Sequence, residues 1–198
     1  TRAFDHLPFF YSDLFDLGYE AVGDLNPALE MVQDWQEPFR KGVVYYLGAY
    51  LITNIAAFAV AAVFWQTVGS DEIAAYAGLS RRAPGLSLAM MVAFLSLAGM
   101  PPLGGFIAKV LVFAAAVEQE LIWLVVIGVL NSIIGLYYYL TVLKVVYLFR
   151  SEDEDKPLPI TKPSALALVL LTVGIILVGT IFAPFFSMGG SAAAGLLP

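Results

Sequence analysis

Cysteine is absent from the 198 residues, and histidine occurs once, as His6. The first absence excludes disulfides, thiol catalysis and cysteine-held metal clusters, and a single histidine in a polar stretch gives no metal-ligand spacing. Charge is also scarce: 13% of the residues are Asp, Glu, Lys or Arg, where ordinary soluble domains carry about 25%. No nucleophile–histidine pair or glycine-rich phosphate loop after a strand is present, so no redox or hydrolytic site is expected on this chain. With a net charge of -6, nucleic-acid binding is not expected either.

What the chain has in abundance is apolar surface: 60% of residues are hydrophobic and the mean hydropathy is +0.83. Four stretches reach the roughly 20 apolar residues that a helix needs to cross a hydrocarbon core of about 30 Å. They run approximately over 43–65, 87–117, 121–148 and 164–186. The expected fold is therefore all-α, a polytopic transmembrane helix bundle of about four spans. Residues 1–42 hold eight acids against Arg2, Arg40 and Lys41, mixed with aromatics and broken by Pro8, Pro27 and Pro38. They read as an extramembrane leader or loop with an interfacial helix. Residues 187–198 read as a flexible Gly/Ala-rich tail. A chain opening on Thr1 without a signal-peptide pattern is expected to be a piece of a longer protein.

Bases set the expected orientation. Arg81, Arg82, Arg150, Lys156 and Lys162 lie in the loops after the first and third spans, close to Lys144. The positive-inside rule puts that side in the cytoplasm and the C-terminus outside, on the periplasmic side of a bacterial plasma membrane.

Within the first span Gly48, Ala49, Ala56, Ala57, Ala59, Ala61 and Ala62 suit close helix packing in lipid. Tyr46, Tyr50, Thr53 and Asn54 share a face, with Asn54 near mid-span, either for interhelical hydrogen bonds or for a hydrated path. The second stretch is too long for one straight span. It is interrupted at Gly99–Gly105, where Pro101 and Pro102 remove backbone donors and Gly99, Gly104 and Gly105 permit unusual dihedrals. In the third span Tyr137, Thr141 and Lys144 fall on one face and form a candidate water path.

Lys109 follows the break. It precedes Glu118 by nine residues, or about 14 Å of helix, which sets it near the bilayer centre. A lysine there costs roughly 2.5–3.5 kcal/mol on insertion scales and normally faces protein interior or water. Moving one proton through 100 mV works against about 2.3 kcal/mol, the same order, so a small change around Lys109 suffices to bind or release a proton. Irregular backbone at membrane depth is tolerated beside such a site, as in the broken helices of transporters. Lys109 is the candidate proton-transfer residue, with Pro101, Pro102, Gly104 and Gly105 as hinge candidates.

The segments LSLAGMPPLGGFIAK (95–109), GLSRRAP (78–84) and GVLNSIIGLYYYL (128–140) resemble the antiporter-like N-type subunits of proton-pumping NADH:quinone oxidoreductase, respiratory complex I. The resemblance covers roughly residues 43–186, with Met100 and Ala108 where that family commonly has Ile and Gly. It implies that these are the last four of about fourteen spans, with Lys109 matching the lysine of the broken helix in the second half-channel. It further implies partner membrane subunits, with NADH, FMN, iron–sulfur clusters and quinone held by other subunits and none on this chain. Two rivals share the features: a subunit of a multisubunit sodium/proton antiporter, which has the same broken helix and lysine, and a membrane scaffold that carries no protons.

Overall fold

The computed structural model describes residues 9–14, 17–22, 37–151 and 155–187. The chain forms two units, Thr1–Trp35 and Gln36–Pro198. In the first, Phe9–Leu14 (β1) and Leu17–Val22 (β2) pair antiparallel from Phe9↔Val22 to Leu14↔Leu17. Strand formation is not expected there from the sequence reading, although Phe9, Phe10, Tyr11, Tyr19 and Val22 are residue types that favour strands. The interfacial helix expected in 1–42 and most of the tail expected over 187–198 lie outside the described residues.

The second unit has the all-α class expected. Its helices are α1 (Glu37–Val68), the short α2 (Leu79–Arg82), α3 (Pro84–Ala98), α4 (Gly104–Glu118), α5 (Ile122–Leu148) and α6 (Lys162–Thr180), with another helical turn over 182–187. Three of them, α1 from Gly42, α5 and α6, are long and apolar enough to cross a membrane. α3 and α4 have 15 residues each, about 22 Å apiece, so neither spans a bilayer alone.

α1 is the central packing element. Its buried seam is Tyr45, Ala49, Thr53, Ala56, Val60 and Phe64, a stripe of i+3 and i+4 steps. The small-residue run only partly coincides with this seam: Gly48 and Ala62 face outward. Ala56 meets Val92 and Ala93 of α3, Leu103 at the break and Ile175 of α6, while Tyr45 and Ala49 meet Ala108 of α4 and Val178 of α6. The Tyr45 hydroxyl donates to the Val178 carbonyl in the last turn of α6 at 2.6 Å. Tyr45→Phe should leave that carbonyl without its donor and cost about 0.6–1.7 kcal/mol, the range for interhelical bonds in membranes. A lowered unfolding midpoint of the purified full-length subunit in detergent would register it; an unchanged midpoint would show the bond to be redundant.

The connection between α1 and α3 closes one end of the bundle. Tyr76, in a 3-10 turn over Ile73–Tyr76, stacks on Phe64 with centroids 3.8 Å apart, and Leu79 and Ala83 continue the same core. Burial, and then the Asp71 carboxylate, push the Tyr76 phenol up, so it stays a neutral ring. Leu158 N–H donates to the Arg82 carbonyl and Arg82 Nε donates to the Lys156 carbonyl. The two basic loops thus sit on one side of the bundle, as the alternation of spans requires.

Candidate functional site

The interruption of the second hydrophobic stretch falls over Gly99–Leu103, and its chemistry begins with how α3 ends. Gly99 adopts φ +84, the left-handed conformation that a glycine takes without strain. Its N–H donates to the Ser96 carbonyl, and the Met100 N–H donates to the Leu95 carbonyl, which together make a Schellman motif. That motif satisfies Leu95 and Ser96. The final carbonyls of α3, on Leu97 and Ala98, remain without backbone donors, and in apolar surroundings an unpaired polar group costs several kcal/mol by order of magnitude.

Lys109 supplies their donors. Its stem runs back past Gly99, where a Cβ would stand 3.0 Å from Lys109 Cδ. Nζ then donates to the Leu97 carbonyl at 3.0 Å, to the Ala98 carbonyl at 3.4 Å and to Ser132 Oγ on α5 at 3.1 Å. An ammonium has three N–H donors, and here three oxygens receive them. The cation also lies at the negative end of the α3 dipole, the favourable end for positive charge. Half-buried Lys109 and Ser132 both line a cavity of about 280 Å³ between α4 and α5 whose remaining walls are apolar.

The start of α4 is held by hydroxyls. The Gly105 N–H, unpaired within its own first turn, donates to Ser96 Oγ at 3.1 Å. Ser96 Oγ lies 3.3 Å from Thr53 Oγ1, which itself donates to the Ala49 carbonyl. The Ser96 proton therefore points to Thr53, and one directed chain ties α4, α3 and α1 together. Gly105 is required at this crossing because a Cβ there would collide with the Ser96 carbonyl.

Pro101 and Pro102, joined by a cis peptide, occupy the break itself, and Gly104 opens α4 against Val178 and Ile175. The other candidates do not converge on Lys109. Asn54 donates to the Tyr50 carbonyl of its own helix, and Tyr46 and Tyr50 stack beside it. Tyr137 is 69% exposed, Thr141 donates to the Tyr137 carbonyl, and Lys144 lies over the Phe149 ring at 5.7 Å. At about 100° per residue these three stand roughly 120–180° around α5 from Ser132, so they form no path with Lys109 inside this chain. Ser96 and Ser132 were not singled out from the sequence. Their signal was present in SLAG (96–99) in the last turn of α3 and in NS (131–132) in the middle of the third span.

Interrupted spans whose two halves overlap recur among the broken helices of membrane transporters, and among the described residues Lys109 is the cation drawn back onto the break. Residues 35–135 match the family described as NADH:quinone oxidoreductase/Mrp antiporter, TM. The chain belongs to that family and is an integral membrane protein. Among similar proteins, the NADH-quinone oxidoreductase subunit N of Heliobacterium modesticaldum is 35% identical over 181 residues, covering 91% of this chain and 38% of the relative. Subunit N 2 of Herpetosiphon aurantiacus is 43% identical over 139 residues, covering 68% of this chain and 26% of the relative. This chain therefore spans well under half the length of those relatives. Among solved structures, respiratory complex I from Thermus thermophilus with bound Aureothin superposes with TM-score 0.62 at 30% identity over 76% of this chain and 35% of the other. The Mrp complex from Dietzia sp. DQ12-45-1b superposes with TM-score 0.72 at 21% identity over 80% of this chain and 38% of the other, a likeness of fold.

Proposed function

We propose that this chain is the part of an N-type, antiporter-like subunit of proton-translocating NADH:quinone oxidoreductase in which Lys109 binds and releases the transported proton. The observation that carries the reading is the position of Lys109 Nζ, on the unsatisfied end of the interrupted helix and beside the α4–α5 cavity. In the charged form all three donors are matched. Release breaks one N–H bond and passes the proton to a water oxygen in the cavity, leaving a neutral amine. Uptake reverses the step. The similarity to subunit N relatives, as well as membership of the family, supports this assignment over others.

Under this reading the redox chemistry of NADH, FMN, iron–sulfur clusters and quinone belongs to partner subunits. The partners of this chain are neighbouring membrane subunits, the lipid bilayer and protons. The basic loops face the cytoplasm of a bacterial plasma membrane, and the Glu118–Glu120 turn and the C-terminus face outward. The likeness in fold to the Mrp complex favours one second reading, a sodium/proton antiporter subunit.

Inverted membrane vesicles from cells carrying the full-length gene, and from cells lacking it, separate the two. NADH addition should acidify the vesicle interior only when the gene is present, at a rate unchanged by removing sodium. Acidification that requires a sodium gradient would replace this reading with the antiporter one.

A further inference from the structure

The three oxygens around Lys109 are not equivalent. Those of Leu97 and Ala98 belong to the backbone of α3 and can only accept. The third is the hydroxyl of Ser132 on α5, which can accept or donate by rotating about its C–O bond. With Lys109 charged, the Ser132 proton is directed one turn back to the Gly128 carbonyl at 2.9 Å, so a lone pair faces the ammonium. The surroundings offer little to replace this contact, since Phe106, Phe113, Val129 and Ile133 make up much of the cavity wall.

Loss of the proton changes what Nζ presents. A neutral amine keeps two N–H donors and gains a lone pair, so it still serves the two carbonyls of α3 but no longer has a donor for a third acceptor. A carbonyl in the third place would face that lone pair and repel it. A hydroxyl turns instead, leaves the Gly128 carbonyl and donates to Nζ. We infer that Ser132 is a positioning residue for the Lys109 proton site, holding Nζ against the end of α3 in both protonation states by reversing the direction of one hydrogen bond.

This inference rests on Lys109 being the proton-exchanging group, and the test separates the two. In the full-length subunit, within the assembled complex, Ser132→Ala, Ser132→Val and Ser132→Thr are compared for NADH-driven proton pumping in vesicles, with Lys109→Arg measured alongside. Thr and Val have nearly the same shape, and only Thr keeps the hydroxyl. The Ala and Val forms should each lose about tenfold in pumping rate, in line with one hydrogen bond to a charged group. The Thr form should stay within about twofold of the unsubstituted complex. Equal rates for Val and Thr would assign Ser132 a purely steric role and overturn the inference, and so would an Ala form that pumps normally. If Lys109→Arg also pumps, the failure lies with the assignment of Lys109; if the Lys109→Arg complex assembles and does not pump, it lies with Ser132 alone.

Discussion

Lys109→Met in the full-length subunit is expected to abolish the proton transfer proposed for this residue, and Lys109→Arg is expected to do the same. The pair is needed because the helix capping and the proposed proton transfer both involve Lys109. Its ammonium caps the Leu97 and Ala98 carbonyls, so methionine removes a titratable group and also leaves two acceptors without their donor. Arginine keeps the charge and the donors and does not release a proton under physiological conditions. If the residue only caps the helix, the Arg form should pump at a substantial fraction of the normal rate while the Met form assembles poorly. If Lys109 carries the proton, both should fail, with the Arg complex assembled. Proton pumping and subunit content, measured on the same vesicles, decide between these outcomes.

The second large effect is expected at Gly105. Adding a single methyl there places it on the Ser96 carbonyl, and neither partner is the free end of a flexible side chain. Overpacking in a filled core typically costs about 1–3 kcal/mol, and a collision between two helix backbones belongs at or beyond the upper end. The same shift would pull the Gly105 N–H from Ser96 Oγ and undo the chain to Thr53 and Ala49. Gly105→Ala should therefore lower the amount of folded subunit in the membrane severalfold. Gly48→Ala provides the control, because a Cβ at Gly48 meets nothing within 4 Å. Equal amounts of the two variants would show that α3 and α4 can separate at no cost.

Much of the architecture was legible in the chain. Runs of apolar residues gave the long helices, and α1, α5 and α6 end within a few residues of the hydropathy boundaries on most sides. The interruption was legible because two prolines and three glycines in seven positions cannot continue a helix. Lys109 was legible because a cation so far from either end of an apolar stretch is costly in lipid.

Other features could not be read, for a definite reason. In water the apolar face of a helix points to the core, so periodicity reveals its rotation. α5 is apolar nearly all round: Trp123, Leu130 and Ile133 are exposed while Leu143 and Val146 are buried. The stripe of Tyr137, Thr141 and Lys144 looked like an inward path, yet it lies on the outer side of this chain's packing. The small residues of α1 likewise named a helix suited to close contact without saying which of them makes it. Ala49 and Ala56 are buried; Gly48 is not.

Composition and order along the chain determined by themselves that this protein lives in lipid, where its second hydrophobic stretch is interrupted, and that a lysine follows the interruption. Those properties depend only on transfer to hydrocarbon and on backbone chemistry, which are local. Only the tertiary structure decided how the lysine is accommodated. A folded-back stem meets the two carbonyls that the Schellman turn leaves over, and a hydroxyl 23 positions further along the chain completes the set. Such partners are chosen by the relative rotation and overlap of helices, and in lipid that choice is made by packing and hydrogen bonding between helices, which no single helix records.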